Sequence, residues 1–365
     1  MTYPKACRLA LLIAGLLLIP ACRLFQPDPS FPAAPDSPTR AVQSSPSTNP
    51  LPTQGVRPTT PHPTIAPIDT LAPEAARGEP ARRYLEEITQ GIGARLPGSA
   101  EEIQTAAYIQ SVLEAMGYDV QRQPFSFTSD DGEDLASQNI IAVKAGASPQ
   151  EIIIGAHYDS TDDASGADDN ASGVAVLLEA ASIASQTETN YTIRFVAFGA
   201  EESGLNGSDY YVSRLSKADK KNTRYMINLD SLIAGDINYV YGDSGFPGSL
   251  RDWIIADAQS SDIALKSKTA EDLDDPDGTP CDCADYDAFQ EEGILFAYFE
   301  ATNWNRGDKD GMTQVDVKLG DDGAIRHTPY DTIEYIDKTF PGRIDQNLSV
   351  YVTLLEHVMT RFTAE

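Results

Sequence analysis

The chain is short of cysteine, histidine, positive charge and long apolar runs, and each shortage excludes something. Its 365 residues hold four cysteines. Cys7 and Cys22 fall near the N-terminus, leaving only Cys281 and Cys283 in the body of the chain, too few for a disulfide framework. A bridge between residues two apart closes a tight ring, so a labile disulfide and two free thiols both stay open. Lys and Arg number 27 against 55 Asp and Glu, a formal net charge of −28. Such a surface repels nucleic acid and anionic membrane and favours solubility. The apolar run over residues 9–19 falls short of the roughly 20 residues that a membrane-spanning helix needs.

That run has the setting of an export signal, with Lys5 and Arg8 before it and Ile19-Pro20-Ala21-Cys22 at its end. A small residue followed by cysteine resembles a bacterial lipobox. Residues 1–21 would then be removed and Cys22 would carry the lipid, although Pro20 is uncommon there. An ordinary cleaved signal that happens to contain a cysteine is the alternative. Both readings are extracytoplasmic: a lipid-anchored cell-surface protein in one case, a secreted protein in the other. Residues 22–77 are rich in Pro, Ser and Thr without apolar periodicity, and a disordered tether is expected. His62 lies in that stretch and is no ligand.

Residues 78–365 form one domain with no internal repeat or break in composition. Helical periodicity is expected over 79–90 and 100–116, with Ser99 as N-cap and Gly117 closing the second. Half-exposed strands are expected over 120–127 and 139–143, and buried strands over 152–156, 192–198 and 225–229. Helices at 172–185 and 209–215 separate the buried strands. A strand at 237–241, a helix at 249–259, a strand at 294–299 and a C-terminal helix at 343–362 follow. This alternation predicts an α/β domain whose mixed, mostly parallel central sheet carries helices on both faces. Trp253 falls mid-helix among isoleucines and reads as core.

What the chain does have is a set of five short segments rich in zinc ligands. They are Ile-Gly-Ala-His157-Tyr-Asp159-Ser, Gly-Ala-Asp-Asp169-Asn-Ala-Ser-Gly, Gly-Ala-Glu201-Glu202-Ser-Gly, Ile-Asn-Leu-Asp230-Ser and His327-Thr-Pro-Tyr-Asp-Thr. Imidazole and carboxylate suit zinc. Two of the chain's four histidines fall in these segments, an economy that points to ligation. His157, Glu201, Glu202 and Asp230 each follow an expected strand, and open α/β sheets gather ligands beyond the carboxyl ends of their strands. With ligands of this kind at hand, a site made from the Cys281 and Cys283 thiolates is the weaker reading.

Peptide hydrolysis is slow because water is a poor nucleophile and the amine a poor leaving group. Two cations ~3.5–4 Å apart activate the water, polarise the carbonyl and stabilise the developing oxyanion. Such a pair needs a bridging carboxylate, then one imidazole and one further carboxylate for each ion. The five segments supply that number and leave one glutamate over as a base.

These residues resemble the co-catalytic dizinc aminopeptidases of metallopeptidase family 28, which includes bacterial leucyl aminopeptidases, over roughly residue 79 to the C-terminus. The resemblance implies a zinc-exopeptidase domain with two zinc ions per chain and peptide substrates. His157 and Asp230 would hold one zinc, Glu202 and His327 the other, and Asp169 would bridge them. Glu201 would be the general base and Asp159 would orient His157. The family also implies a cis peptide between Asp169 and Asn170, while Asp168 is expected to have no metal.

Two departures stand out. Many relatives carry Ser-Asp-His-x-x-Phe where this chain has Ala284-Asp285-Tyr286-Asp287-Ala288-Phe289, which leaves the substrate-facing wall open to question. The stretch 303–324 is long, polar and rich in Gly and Asp, as a lid or rim loop would be, and Trp304 in it is a candidate to overlie the cleft. Arg306-Gly307-Asp308 carries no functional weight. The acidic residues 272–277 suit a solvated loop better than a calcium site. Glutaminyl-peptide cyclisation, carboxypeptidase action and non-catalytic binding are the competing functions. A carboxypeptidase would need a cation such as Arg306 or Arg326 facing the substrate carboxylate.

Overall fold

The computed structural model describes residues 76–129, 132–268, 284–309, 311–316, 318 and 323–361. The export signal, nearly all of the tether with His62, the acidic residues 272–277, Cys281 and Cys283 lie outside the described residues.

Among the described residues seven strands form one sheet: β1 (Val120–Thr128), β2 (Asp134–Lys144), β3 (Glu151–His157), β4 (Thr192–Phe198), β5 (Thr223–Leu229), β6 (Ile237–Gly242) and β7 (Leu295–Thr302). Their order is β1-β2-β4-β3-β5-β7-β6. The four central strands β4, β3, β5 and β7 run parallel. The three outer pairings, β1 with β2, β2 with β4 and β6 with β7, are antiparallel. The expected α/β class is the one found, with the parallel part confined to the centre.

Side-chain alternation divides the core into two layers. Ile152 and Ile154 of β3, Phe195 of β4, Ile227 of β5 and Phe299 of β7 pack on one side. Ile153, Val196, Met226 and Tyr298, one residue out of phase, pack on the other. A strand buried on both faces reads as a continuous apolar run, which is why Ile-Ile-Ile could be assigned to the sheet interior.

The first layer is covered by α1 (Glu79–Thr89), α2 (Ala100–Ala115), α3 (Gly173–Ser185), α6 (Leu250–Ser260) and the last helix, α9 (Arg343–Arg361). On the second lie α4 (Asn206–Arg214) and α7 (Asp287–Glu291). Two short helices, α5 (Lys217–Asn222) and α8 (Ile333–Thr339), complete the described elements. The Ser99 hydroxyl accepts from the Glu102 N–H and caps α2 as expected. Glu179 of α3 accepts from Gly78 N and Ala81 N, which satisfies two first-turn donors of α1 and fixes that helix to the core. Among the described residues no helix is long and apolar enough to cross a membrane.

Two open questions about aromatic side chains are now decided. Tyr286 does not face a cleft: it is fully buried, and its ring stacks on Phe296 at a centroid distance of 4.4 Å. Trp304 is also buried and donates its indole N–H to the Tyr241 hydroxyl at 2.8 Å. Both rings belong to the second core layer. Trp253 packs against the first layer, as its position in the helix implied.

Candidate metal centre

The parallel strands end on one rim, and the rim carries the site. His157 is the last residue of β3; Glu201 and Glu202 follow β4; Asp230 follows β5. Asp169 lies in a turn over Ala167–Ser172 just before α3, and its peptide bond to Asn170 is cis. His327 arrives from the long connection after β7. Ala200, Ser231 and His327 all have φ between 52° and 56°, the left-handed region that side chains beyond glycine seldom adopt. Each is part of the rim or adjoins it, and backbone strain of this kind clusters at functional sites.

The Asp169 carboxylate is central. Its Oδ1 is 3.2 Å from His157 Nε2 and its Oδ2 is 3.0 Å from His327 Nε2. His157 Nε2 is also 3.6 Å from Asp230 Oδ1 and 3.9 Å from Glu201 Oε2. His327 Nε2 is 3.1 Å from Glu202 Oε2. Ligand atoms of His157, Glu201 and Asp230 lie within 4.8 Å of one another, and so do those of His157, Asp169 and Glu202. All seven residues singled out in the sequence thus come together.

Asp159 does more than its sequence position suggested. Its two oxygens accept from Glu201 N and Glu202 N, each at 3.0 Å. Its Oδ1 is 3.6 Å from His157 Nδ1, beyond a direct hydrogen bond. The carboxylate therefore lies beside His157 Nδ1 and at the same time pins the Glu-Glu pair to the β3 loop.

Burial makes this cluster costly without a cation. His157, Asp159, Asp169 and Asp230 are buried, and the side chains of Glu201 and Glu202 are about a tenth exposed. Burial pushes the Glu202 carboxyl up to about 7, with Asp169 adding to the effect. Burial also raises Glu201 well above the usual carboxylate range, where Glu202, Asp285 and Asp230 add to it while His157 opposes. Hydrogen bonds to Asp169 and Glu202 lift His327 to about 11. Burial alone would lower His157, but Glu201, Asp159, Asp169 and Asp230 outweigh it and raise it well above its ordinary value. Asp169 goes the other way: the two imidazoles hold it below the carboxylate range against its burial.

The protein's own cations are few here. Arg95 is fully buried and gives its N–H groups to the carbonyls of Gly93, Tyr158, Ser165 and Gly166. Arg326 Nη1 is held by Glu300 at 2.7 Å. Glu202 Oε1 and His157 Nδ1 are buried without a hydrogen-bond partner. Buried carboxylates packed together with such orphaned donor atoms are the environment a metal ion satisfies, and the oxygen and nitrogen donor set fits zinc. His157, Asp169, Glu201, Glu202, Asp230 and His327 are the residues able to hold it.

Sequence reasoning missed the supports. Asp331 Oδ1 and Oδ2 accept from Asp168 N and Asp169 N at 2.6 and 3.1 Å. Glu102 of α2 accepts from Ala200 N, one residue before the Glu-Glu pair. Asp285 is buried and its charge reaches Glu201. Asp331 follows His327 inside His-Thr-Pro-Tyr-Asp-Thr, so its motif was visible; Glu102 carried no signal at all.

The sequence pattern of peptidase family M28 matches residues 139–352, more than half of the chain. The alkaline phosphatase isozyme conversion protein of Escherichia coli K12 is 34% identical over 310 residues, covering 77% of this chain and 89% of that protein. Among solved structures, a zinc aminopeptidase of Bacillus subtilis superposes with a TM-score of 0.62 at 20% identity, over 78% of this chain and 95% of that one. A glutaminyl cyclase of Porphyromonas gingivalis reaches a TM-score of 0.57 at 22% identity, over 78% and 99%. The structural likenesses establish the fold, and the sequence matches establish the family. On that footing this chain, with its carboxylate and imidazole centre, belongs to peptidase family M28, the family of the zinc aminopeptidases.

Proposed function

We propose that the protein is an exported dizinc aminopeptidase that removes N-terminal residues from peptides. The observation that carries this reading is the Asp169 carboxylate, whose two oxygens face two different imidazoles, each with a further carboxylate beside it. His157 and Asp230 would hold one zinc ion and His327 and Glu202 the other, with Asp169 placed to serve both. When bound, the pair polarises the scissile carbonyl, lowers the pKa of water and stabilises the developing oxyanion.

The remaining work falls to the chain's own residues. Glu201 accepts the proton of the attacking water and passes it to the leaving amine. Asp159 keeps Glu201 and Glu202 in register through their backbone N–H groups, and its carboxyl group beside His157 Nδ1 favours the imidazole orientation that ligation needs.

Cyclisation of N-terminal glutamine is the competing chemistry on this fold, and the fold likeness serves both. The complete set of ligands for two ions and the intact Glu201-Glu202 pair favour hydrolysis. Carboxypeptidase action is disfavoured because Arg326 is committed to Glu300, and Arg306 lies 3.6 Å from Asp316.

Elemental analysis of active protein should return two zinc ions per chain. Chelation should abolish hydrolysis of aminoacyl anilides and zinc or cobalt should restore it, while N-terminally blocked peptides stay intact. One ion per chain together with pyroglutamate formation would transfer the assignment to cyclisation.

The domain plan follows from the same reading: a signal over residues 1–21, a tether over 22–77 and the catalytic domain over 78–365. Cys22→Ser should move the protein from the membrane fraction to the soluble fraction with hydrolysis unimpaired. Equal membrane retention of both forms would reject the lipid anchor.

A further inference from the structure

We infer that Gln314 is a positioning residue that sets His327 against Asp169 and Glu202, and through His327 tunes the affinity of the zinc ion on that side. The inference rests on the dizinc reading above and extends it to a residue in the loop between β7 and His327, a loop that no motif marks.

Gln314 is fully buried although the loop around it is polar. Its carboxamide joins two kinds of partner. Nε2 donates to Asp168 Oδ2 at 2.5 Å, and Oε1 accepts from Ile325 N at 3.0 Å and Arg326 N at 2.7 Å. At one end is the residue before the bridging carboxylate; at the other are the two peptide groups before His327. Asp168 is itself fixed, because its Oδ1 accepts from Ile233 N and Ala234 N and its own N–H goes to Asp331. The loop main chain adds Asp236 N to Gln314 O and Gln314 N to Gly323 O, both 2.9 Å.

His327 needs such a support. Its side chain is about half exposed, so packing does little to hold it, and its φ of 55° is a conformation the backbone adopts only under constraint. The residue before it is held on both sides, by Gln314 at the main chain and by Glu300 at the guanidinium. Only a side chain with a donor and an acceptor at this length can satisfy a carboxylate at one end and two N–H groups at the other. Glutamate would set carboxylate against carboxylate, and asparagine is one methylene too short. Groups that orient metal ligands typically change metal affinity ~10–100-fold when removed.

The test is a zinc titration of the metal-free, full-length protein against a competing chelator. Gln314→Met keeps the volume and removes both hydrogen-bonding ends. It should weaken one ion ~10-fold or more, the scale for losing an orienting partner, and leave the other within about 3-fold. Combined with His327→Ala, it should add less than about 2-fold to the effect of His327→Ala alone, because both act through one ligand. Trp304→Phe, which removes the hydrogen bond to Tyr241 in the same loop, should lower Tm yet leave both zinc affinities at the wild-type value.

Equal weakening of both ions, additivity with His327→Ala, or an equal effect of Trp304→Phe would overturn the positioning role. Wild-type protein that binds a single ion would refute the dizinc reading instead. In that case the same cycle, read on the remaining ion, still decides whether Gln314 acts through His327.

Discussion

Glu201→Gln should give a protein that binds its metals and folds normally yet turns over peptide substrates at least ~10²-fold more slowly, the lower end of what removal of a general acid–base group costs. Glutamine matches glutamate in shape but cannot take up the proton of the attacking water. Glu201 Oε2 stands 3.9 Å from His157 Nε2, the longest of the three contacts that carboxylates other than Asp169 make to the two imidazole Nε2 atoms. Glu202 Oε2, by contrast, is 3.1 Å from His327 Nε2. Adjacent glutamates should therefore fail differently. Glu202→Ala should lose zinc, and its activity should recover in part at high zinc concentration. Glu201→Gln should keep zinc and recover nothing. Near-normal kcat in Glu201→Gln would sink the assignment of the base, whatever the metal content.

Why the site could be read from the sequence, and its supports could not, follows from the fold. Each proposed ligand except His327, which comes from the connection after β7, stands at the end of a buried strand or beside a helix start, where the apolar run stops and a polar residue follows. Ile-Ile-Ile-Gly-Ala before His157 is such a run, and strand ends in a parallel sheet converge whatever their spacing in sequence. The four strands that carry this logic are the parallel ones. The outer strands pair antiparallel, and their shorter apolar signals gave the strand positions without the direction of pairing.

The supports follow no period. Arg95, Glu102 and Gln314 reach the site from loops and a helix that are 60 to 150 residues away from their partners in the chain. A buried glutamine in a polar loop looks in sequence like any solvated one; only its partners distinguish it. Tyr286 left the substrate-facing wall open for the opposite reason. It replaces a histidine in a familiar motif, but an aromatic ring at that point gains more by stacking on Phe296 than by facing water, and it joins the core.

The metal-free protein should be more stable at pH 5 than at pH 8, and zinc should reverse that order. Burial raises the carboxyls of Glu102, Asp168, Glu202 and Asp285 to about 7 each when no metal is present. A carboxyl whose folded pKa exceeds its unfolded value near 4 binds more proton in the native state between those two values. Stability then falls as pH rises from about 4 to about 7. His327, lifted to about 11, acts with the same sign: its contribution is complete below about 6.5 and is lost progressively between there and about 11. Solvent screening of its half-exposed ring makes that share the smaller one. Asp169, held low, would act in the opposite sense only below about pH 4, outside the interval compared.

Zinc competes with protons for these same oxygen and nitrogen atoms, so its affinity climbs with pH and its stabilisation with it. Each tenfold change in a group's proton affinity is worth ~1.4 kcal/mol. Several coupled carboxyls amount to a few kcal/mol, and at ~2–4 °C per kcal/mol the metal-free Tm should drop by on the order of 10 °C between pH 5 and pH 8. Melting curves of chelator-dialysed and zinc-loaded protein at the two pH values give the measurement. A metal-free Tm that rises with pH would mean that the carboxylates around Asp169 are already compensated by the protein, and the electrostatic case for a metal there would fail.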